Sequence, residues 1–163
     1  MAALETGDVD MITSLPLNEY SRVGSLPNMV PLQAPANTNQ AWDMANMPDK
    51  DPSITNDPRV RQAINYALDR EGIVKAAYDG VSRPAKDQLI TPNVFGHQKD
   101  FTAPAYDPDK ARALLKDAGL GGGTSMRVDA QVITFPPAKP ILEASIGLWE
   151  AVGIKSDVRT IEI

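Results

Sequence analysis

Few side chains in this chain have the type and spacing that chemistry demands. His97 is the only histidine among 163 residues, and there is no cysteine. A histidine-paired metal site therefore lacks a second partner, and no His-Glu-x-x-His or serine–histidine spacing occurs. Without cysteine there are no disulfides, thiol nucleophiles or thiolate metal ligands. His97 reads as a surface loop residue. Gly121-Gly122-Gly123 lacks the Lys-Ser/Thr of a phosphate loop and reads as a turn. Asp107 and Asp109 read as a helix cap and a partner for the helix dipole, and Asp57 and Asp69 as caps. None of these carboxylates needs catalysis to explain it. No cofactor and no metal is implied.

Two residues are less bland. Trp42 is an aromatic set in a polar linker, where it can stack on a ligand or plug the linker against the domain. Asn39, close by, can offer an amide to a peptide backbone. Asn39 and Trp42 are the candidate ligand-binding residues. Trp149, the other tryptophan, falls on a helical apolar stripe and reads as core.

The elements that position these residues are legible from caps and periodicity. Asp57 caps a helix whose first position is Pro58, and Val60, Ala63, Ile64 and Ala67 recur at helical spacing. Asp69 caps a second helix with Ile73, Val74 and Ala77 on one side, ending before Gly80. The pair fills 58–79. A helix over 108–118 has Asp107 as cap, Pro108 at its start, a stripe of Ala111, Leu114, Leu115 and Ala118, and Gly119 as its left-handed stop. Residues 126–134 alternate as a strand. Pro136 and Pro137 open a helix with Ile141, Ser145, Leu148, Trp149 and Val152 on its stripe, ended by Gly153. Residues 154–163 form a last strand. Strand–helix–strand predicts a βαβ unit with parallel strands and a right-handed crossover. Nearer the start, 8–13 and Met29–Gln33 read as strands and Leu17–Leu26 as a helix behind Pro16. Residues 34–57 form a long linker rich in Asn, Pro and Asp, and 81–105 are irregular. The fold class is α/β or mixed α+β, without internal repeat.

Composition is ordinary for a globular chain: 42% hydrophobic and 23% charged residues. A net charge of −5, with sixteen scattered Lys and Arg, argues against nucleic-acid binding. Arg59 and Arg61 make the densest basic cluster and read as a solvated helix face. No apolar run approaches a membrane span, and Met1-Ala2-Ala3-Leu4 is not a signal peptide.

Residues 56–75, Asn-Asp-Pro-Arg-Val-Arg-Gln-Ala-Ile-Asn-Tyr-Ala-Leu-Asp-Arg-Glu-Gly-Ile-Val-Lys, resemble the family 5 extracytoplasmic solute-binding proteins of ABC importers, the dipeptide, oligopeptide and nickel binders. Residues 3–13 are similar to that family's A-L-x-x-G-x-V-D segment. Residues 106–119 are similar to its Y-D-P-x-K-A-x-x-L-L-x-x-A-G helix, and 141–158 to its closing helix and G-I-x-x-x-V strand. Order and spacing of all four blocks fit. The resemblance implies a periplasmic-binding-protein-like lobe, incomplete against a two-lobed family fold around a ligand cleft. It implies that residues 1–36 are a remnant of the first lobe with the crossover and 37–163 a partial second lobe. Trp42 would then lie near the hinge. The family's Trp- and Asp-containing ligand segment lies downstream of the last matched strand.

The function so implied is capture of a peptide or related small solute outside the cytoplasmic membrane for delivery to a membrane permease, with no bond broken. This piece alone is expected to bind little and to self-associate. The alternative is a solute-binding-like sensory or structural domain of a regulator, which a basic DNA-binding segment would mark. A small α/β hydrolase, the third reading, needs a nucleophile–base pair for which one histidine leaves few choices.

Overall fold

The computed structural model describes residues 1–13, 15–16, 19–34, 41–44, 53–78, 81–85, 88, 90–130 and 138–161. The chain divides into two compact units, Met1–Pro35 and Ala36–Ile163.

The first unit holds two short helices, α1 (Ala2–Glu5) and α2 (Tyr20–Gly24). Thr6 ends α1: its hydroxyl donates to the Ala2 carbonyl at 3.1 Å, and Gly7 takes a left-handed φ of 78°. Arg22 on α2 bridges Glu5 at 2.7 Å and Glu19 at 2.6 Å, both exposed pairs of small energetic weight. The expected strands at 8–13 and Met29–Gln33 do not form. The described residues there join no β-ladder, and a strand does not exist without one. Val30 and Leu32 stay 77% and 86% exposed. The helix expected over 17–26 is shorter, because Pro27 follows closely and residues 25–28 form turns.

The second unit is built from α3 (Pro58–Tyr66), α4 (Arg70–Tyr78), α5 (Pro108–Asp117), β1 (Thr124–Ala130), α6 (Ala138–Ala151) and β2 (Ile154–Thr160). A short 3-10 turn, Ile54–Asn56, precedes α3. The caps act as the sequence implies. The Asp57 side chain accepts from the Arg59 N–H at 2.8 Å, Asp69 from Gly72 at 3.0 Å, and Asp107 from Lys110 at 2.9 Å. Beyond α5, Gly119 has φ 82°, and the Leu120 N–H reaches back to the Leu115 carbonyl at 2.8 Å. That left-handed step satisfies a carbonyl the helix leaves open.

Packing follows the stripes. Val60, Ala63, Ile64 and Ala67 of α3 and its end are at most 1% exposed, against Ala111 and Leu115 of α5. The Asp107 N–H donates to the Tyr66 carbonyl at 2.8 Å, tying the end of α3 to the start of α5. Arg59 holds the other end, donating to the Asp117 carbonyl at 2.6 Å. Arg61 donates to the carbonyls of Thr55 and Asn56 at 2.7 and 3.0 Å. Arg59 thus fastens the end of α5 and Arg61 the turn at 54–56, while half of the Arg59 side chain stays exposed. On α4 the stripe residues Ile73, Val74 and Ala77 are half-buried, so this helix is the more peripheral of the two.

β1 and β2 pair in parallel, Thr124 opposite Ile154 through Ala130 opposite Thr160. Their entry is tight: the Thr124 N–H donates to the Gly153 carbonyl at 3.0 Å, and a Cβ on Gly123 would sit 3.4 Å from that oxygen. Gly123 also has φ 95°, a region that disfavours any other residue. Along β1, Met126, Val128 and Ala130 are buried while Ser125, Arg127 and Asp129 face out. The outward face matches charges across the ladder: Arg127 registers with Asp157, and Asp129 with Arg159. On β2 the buried face runs out early. Ile154 is fully buried, Ser156 half-buried and Val158 37% exposed. Residues 131–137 and 162–163, where both strands and the Pro136–Pro137 helix start were expected to extend, lie outside the described residues. On α6 the buried positions are Leu142, Ser145 and Trp149. Leu142 replaces the expected Ile141 at the centre of the stripe, and Ile141 and Leu148 flank it half-buried.

Candidate functional site

Trp42 is the candidate residue whose surroundings are visible. Asn39 lies outside the described residues. Trp42 is half-buried in the short piece 41–44, where Ala41 and Asp43 are exposed and Met44 is half-buried. In and out alternate as in an extended segment laid on a surface. The surface is α6. The Trp42 Nε1–H donates to the Ser145 Oγ at 3.2 Å. Its ring meets Trp149 edge to face, with centroids 5.2 Å apart and planes at 68°. Trp149 is 1% exposed, and its own Nε1–H donates to the Ile64 carbonyl at 3.4 Å. A chain of contacts therefore runs from the polar linker through two indoles to the backbone of α3.

Sequence reasoning placed Ser145 on the apolar stripe and did not see its role. Its signal was present: a serine among Ile, Leu and Trp on a buried face needs a partner. The Asp129–Arg159 fork, at 3.0 and 3.4 Å, was also missed. It rests on register, and Arg127 adds a longer contact to Asp129 at 3.4 Å.

The other residues weighed for chemistry have local partners. His97 is half-buried in a turn, its Nδ1 2.9 Å from the Ile90 carbonyl oxygen. Asp109 pairs with Arg112 one turn on at 2.6 Å. Hydrogen bonds from the Arg59 side chain and backbone hold the Asp57 carboxyl below its usual range, and the same contact raises Arg59. Partial burial raises the Tyr78 phenol. Among the described residues, no group of three or more His, Asp or Glu could hold a metal ion, and no helix is long and apolar enough to cross a membrane.

Fold and site together define a mixed α/β lobe organised around a βαβ unit, with Trp42 of the 41–44 piece paired against Trp149 of its helix. Comparison with known proteins gives the family. The model for bacterial extracellular solute-binding proteins, family 5 middle region, matches residues 1–163, and the chain belongs to that family. Its members bind solutes for ABC transporters and are not enzymes. The Dipeptide-binding protein of Escherichia coli (strain K12) is 38% identical over 109 residues, 65% of this chain and 20% of that protein. The Glutathione-binding protein GsiB of the same strain is 29% identical over 161 residues, 99% of this chain and 30% of that one. Among solved structures, the ABC transporter-associated periplasmic binding protein DppA from Helicobacter pylori, in complex with peptide STSA, superposes with a TM-score of 0.72. It is 25% identical, and the match covers 99% of this chain and 30% of that one. The matches thus cover 20% to 30% of the length of these relatives. The superposition gives the fold class as that of the periplasmic binding proteins.

Proposed function

We propose that this chain is part of the solute-binding component of an ABC importer, capturing peptides or related small solutes outside the cytoplasmic membrane and presenting them to the membrane permease. The observation that carries the reading is the family match along all 163 residues. Relatives named for dipeptide and glutathione binding support a peptide-like solute. Residues 1–36 belong to the first lobe and the crossover, and 37–163 to much of the second. The separation into compact units between Pro35 and Ala36 supports that division. Trp42 and Asn39 are the residues from this chain that meet the ligand.

In a hinged binding protein each lobe supplies part of the contact, and closure excludes water. One lobe bears the entropic cost of holding a ligand with part of the contact area to offset it. Titration calorimetry of the 163-residue chain with dipeptides and tetrapeptides is expected to give dissociation constants no tighter than about 1 mM, roughly −4 kcal/mol. Micromolar binding by this chain alone would refute the divided site. It would also make Trp42→Ala and Asn39→Ala the first variants to titrate.

A further inference from the structure

Ser145 presents a physical problem that Trp42 solves. Its side chain is fully buried on the inward stripe of α6, between Leu142 and Trp149. A hydroxyl there loses water, and the loss is offset when it is hydrogen bonded. The Trp42 indole N–H supplies that bond at 3.2 Å across 103 positions of sequence. The same contact satisfies the indole's own donor. Two positions on, Met44 also packs against the core, so the 41–44 piece is held on one side at both i and i+2. Trp149 completes the seat with its edge-to-face contact, and through the Ile64 carbonyl it is tied to the most buried helix of the unit.

We infer that Trp42, Ser145 and Trp149 form a latch that seats residues 41–44 on α6. Trp42 is thus a positioning residue. In the hinged protein proposed above, on which this consequence alone rests, bending is excluded from 41–44, and that piece moves as part of the second lobe. A corollary concerns ligand chemistry. The Trp42 N–H is already used, so a solute reaching this residue meets ring surface only. It would contribute an apolar or aromatic group there, not a hydrogen-bond acceptor.

The latch is read in the 163-residue chain by NMR with no solute present, so it stands or fails apart from solute binding. The chain has two tryptophans and hence two indole N–H signals. The Trp42 indole proton is expected to exchange with water at least tenfold more slowly than an exposed indole. Ser145→Ala should speed that exchange at least fivefold while the Trp149 signal keeps its rate. Steady-state heteronuclear NOE values of 41–44 should match those of α6, and in Trp42→Ala they should fall to values of unstructured chain with the β1–β2 signals retained. Trp42→Phe, which keeps a ring and removes the donor, should hold the NOE values at an intermediate level. Fast exchange of both indoles in the unsubstituted chain would overturn the latch, as would NOE values of 41–44 unchanged in Trp42→Ala. Should that variant fail to fold, Ser145→Ala decides: an unchanged Trp42 exchange rate removes the hydrogen bond from the inference.

Discussion

Leu115→Ala tests whether α5 is held by its stripe. Leu115 is 2% exposed and lies with Ala111 on the face turned to α3. The substitution removes three buried carbons, at about 0.8 kcal/mol each a transfer loss of roughly 2.4 kcal/mol. The vacated space adds to that, because neighbours relax only partly, and the range for such changes is about 2–5 kcal/mol. The hydrogen bond from the Leu120 N–H uses the Leu115 backbone carbonyl, so the helix stop survives the change. The loss is therefore packing alone. Urea unfolding of both proteins, followed by far-UV circular dichroism, is the assay. An unchanged m value would show that stability and not the compactness of the unfolded chain has shifted. A drop of about 3 kcal/mol corresponds to roughly 6–12 °C in Tm for a chain of this size. Leu114→Ala, at a half-buried neighbour, should cost clearly less. A loss below about 0.5 kcal/mol for Leu115→Ala, the range of ordinary surface changes, would show that the stripe is not core.

Two further outcomes follow from charge and exposure. The Asp57 carboxyl has a lowered pKa in the folded chain, first through the Arg59 side-chain hydrogen bond. Its contribution is present above the unfolded value, about 3.9, and is lost as pH falls through the folded value. Asp57→Asn keeps a capping side chain and removes the charge, so the variant should be less stable than the parent at pH 7 and equal to it well below pH 4. A constant gap across that window would show that the Arg59 contact carries no charge-dependent stability. Val30, Leu32 and Phe95 are 77%, 86% and 101% exposed, which favours self-association. Sedimentation velocity should show a concentration-dependent dimer or larger species, weakened by Leu32→Asp; a monomer at the highest soluble concentration would refute this.

What the sequence determined by itself is local. Asp57 before Pro58, Asp107 before Pro108 and Gly119 after Ala118 act over three or four residues, so their caps and stops need no distant partner. The stripe of Val60, Ala63, Ile64 and Ala67 is similarly readable because helical spacing alone gathers those side chains on one face. Parallel pairing of β1 and β2 was legible too, since a helix between two short strands leaves little other topology. The family was carried by four blocks whose order spans the chain. What needed the tertiary structure was every feature that depends on a second segment. Residues 8–13 and 29–33 read as strands, yet a strand exists only through a neighbour's hydrogen bonds. β2 was legible as a strand, but how far its inner face is covered, from buried Ile154 to exposed Val158, depends on what packs over it. Arg59 is exposed, as a solvated helix face implies, but its bond to the end of α5, like that of Arg61 to the turn at 54–56, needed the fold. The placement of Trp42 was open between ligand and linker plug for the same reason. Its hydrogen bond to Ser145 joins positions 103 residues apart, and only the folded chain brings that donor to that acceptor.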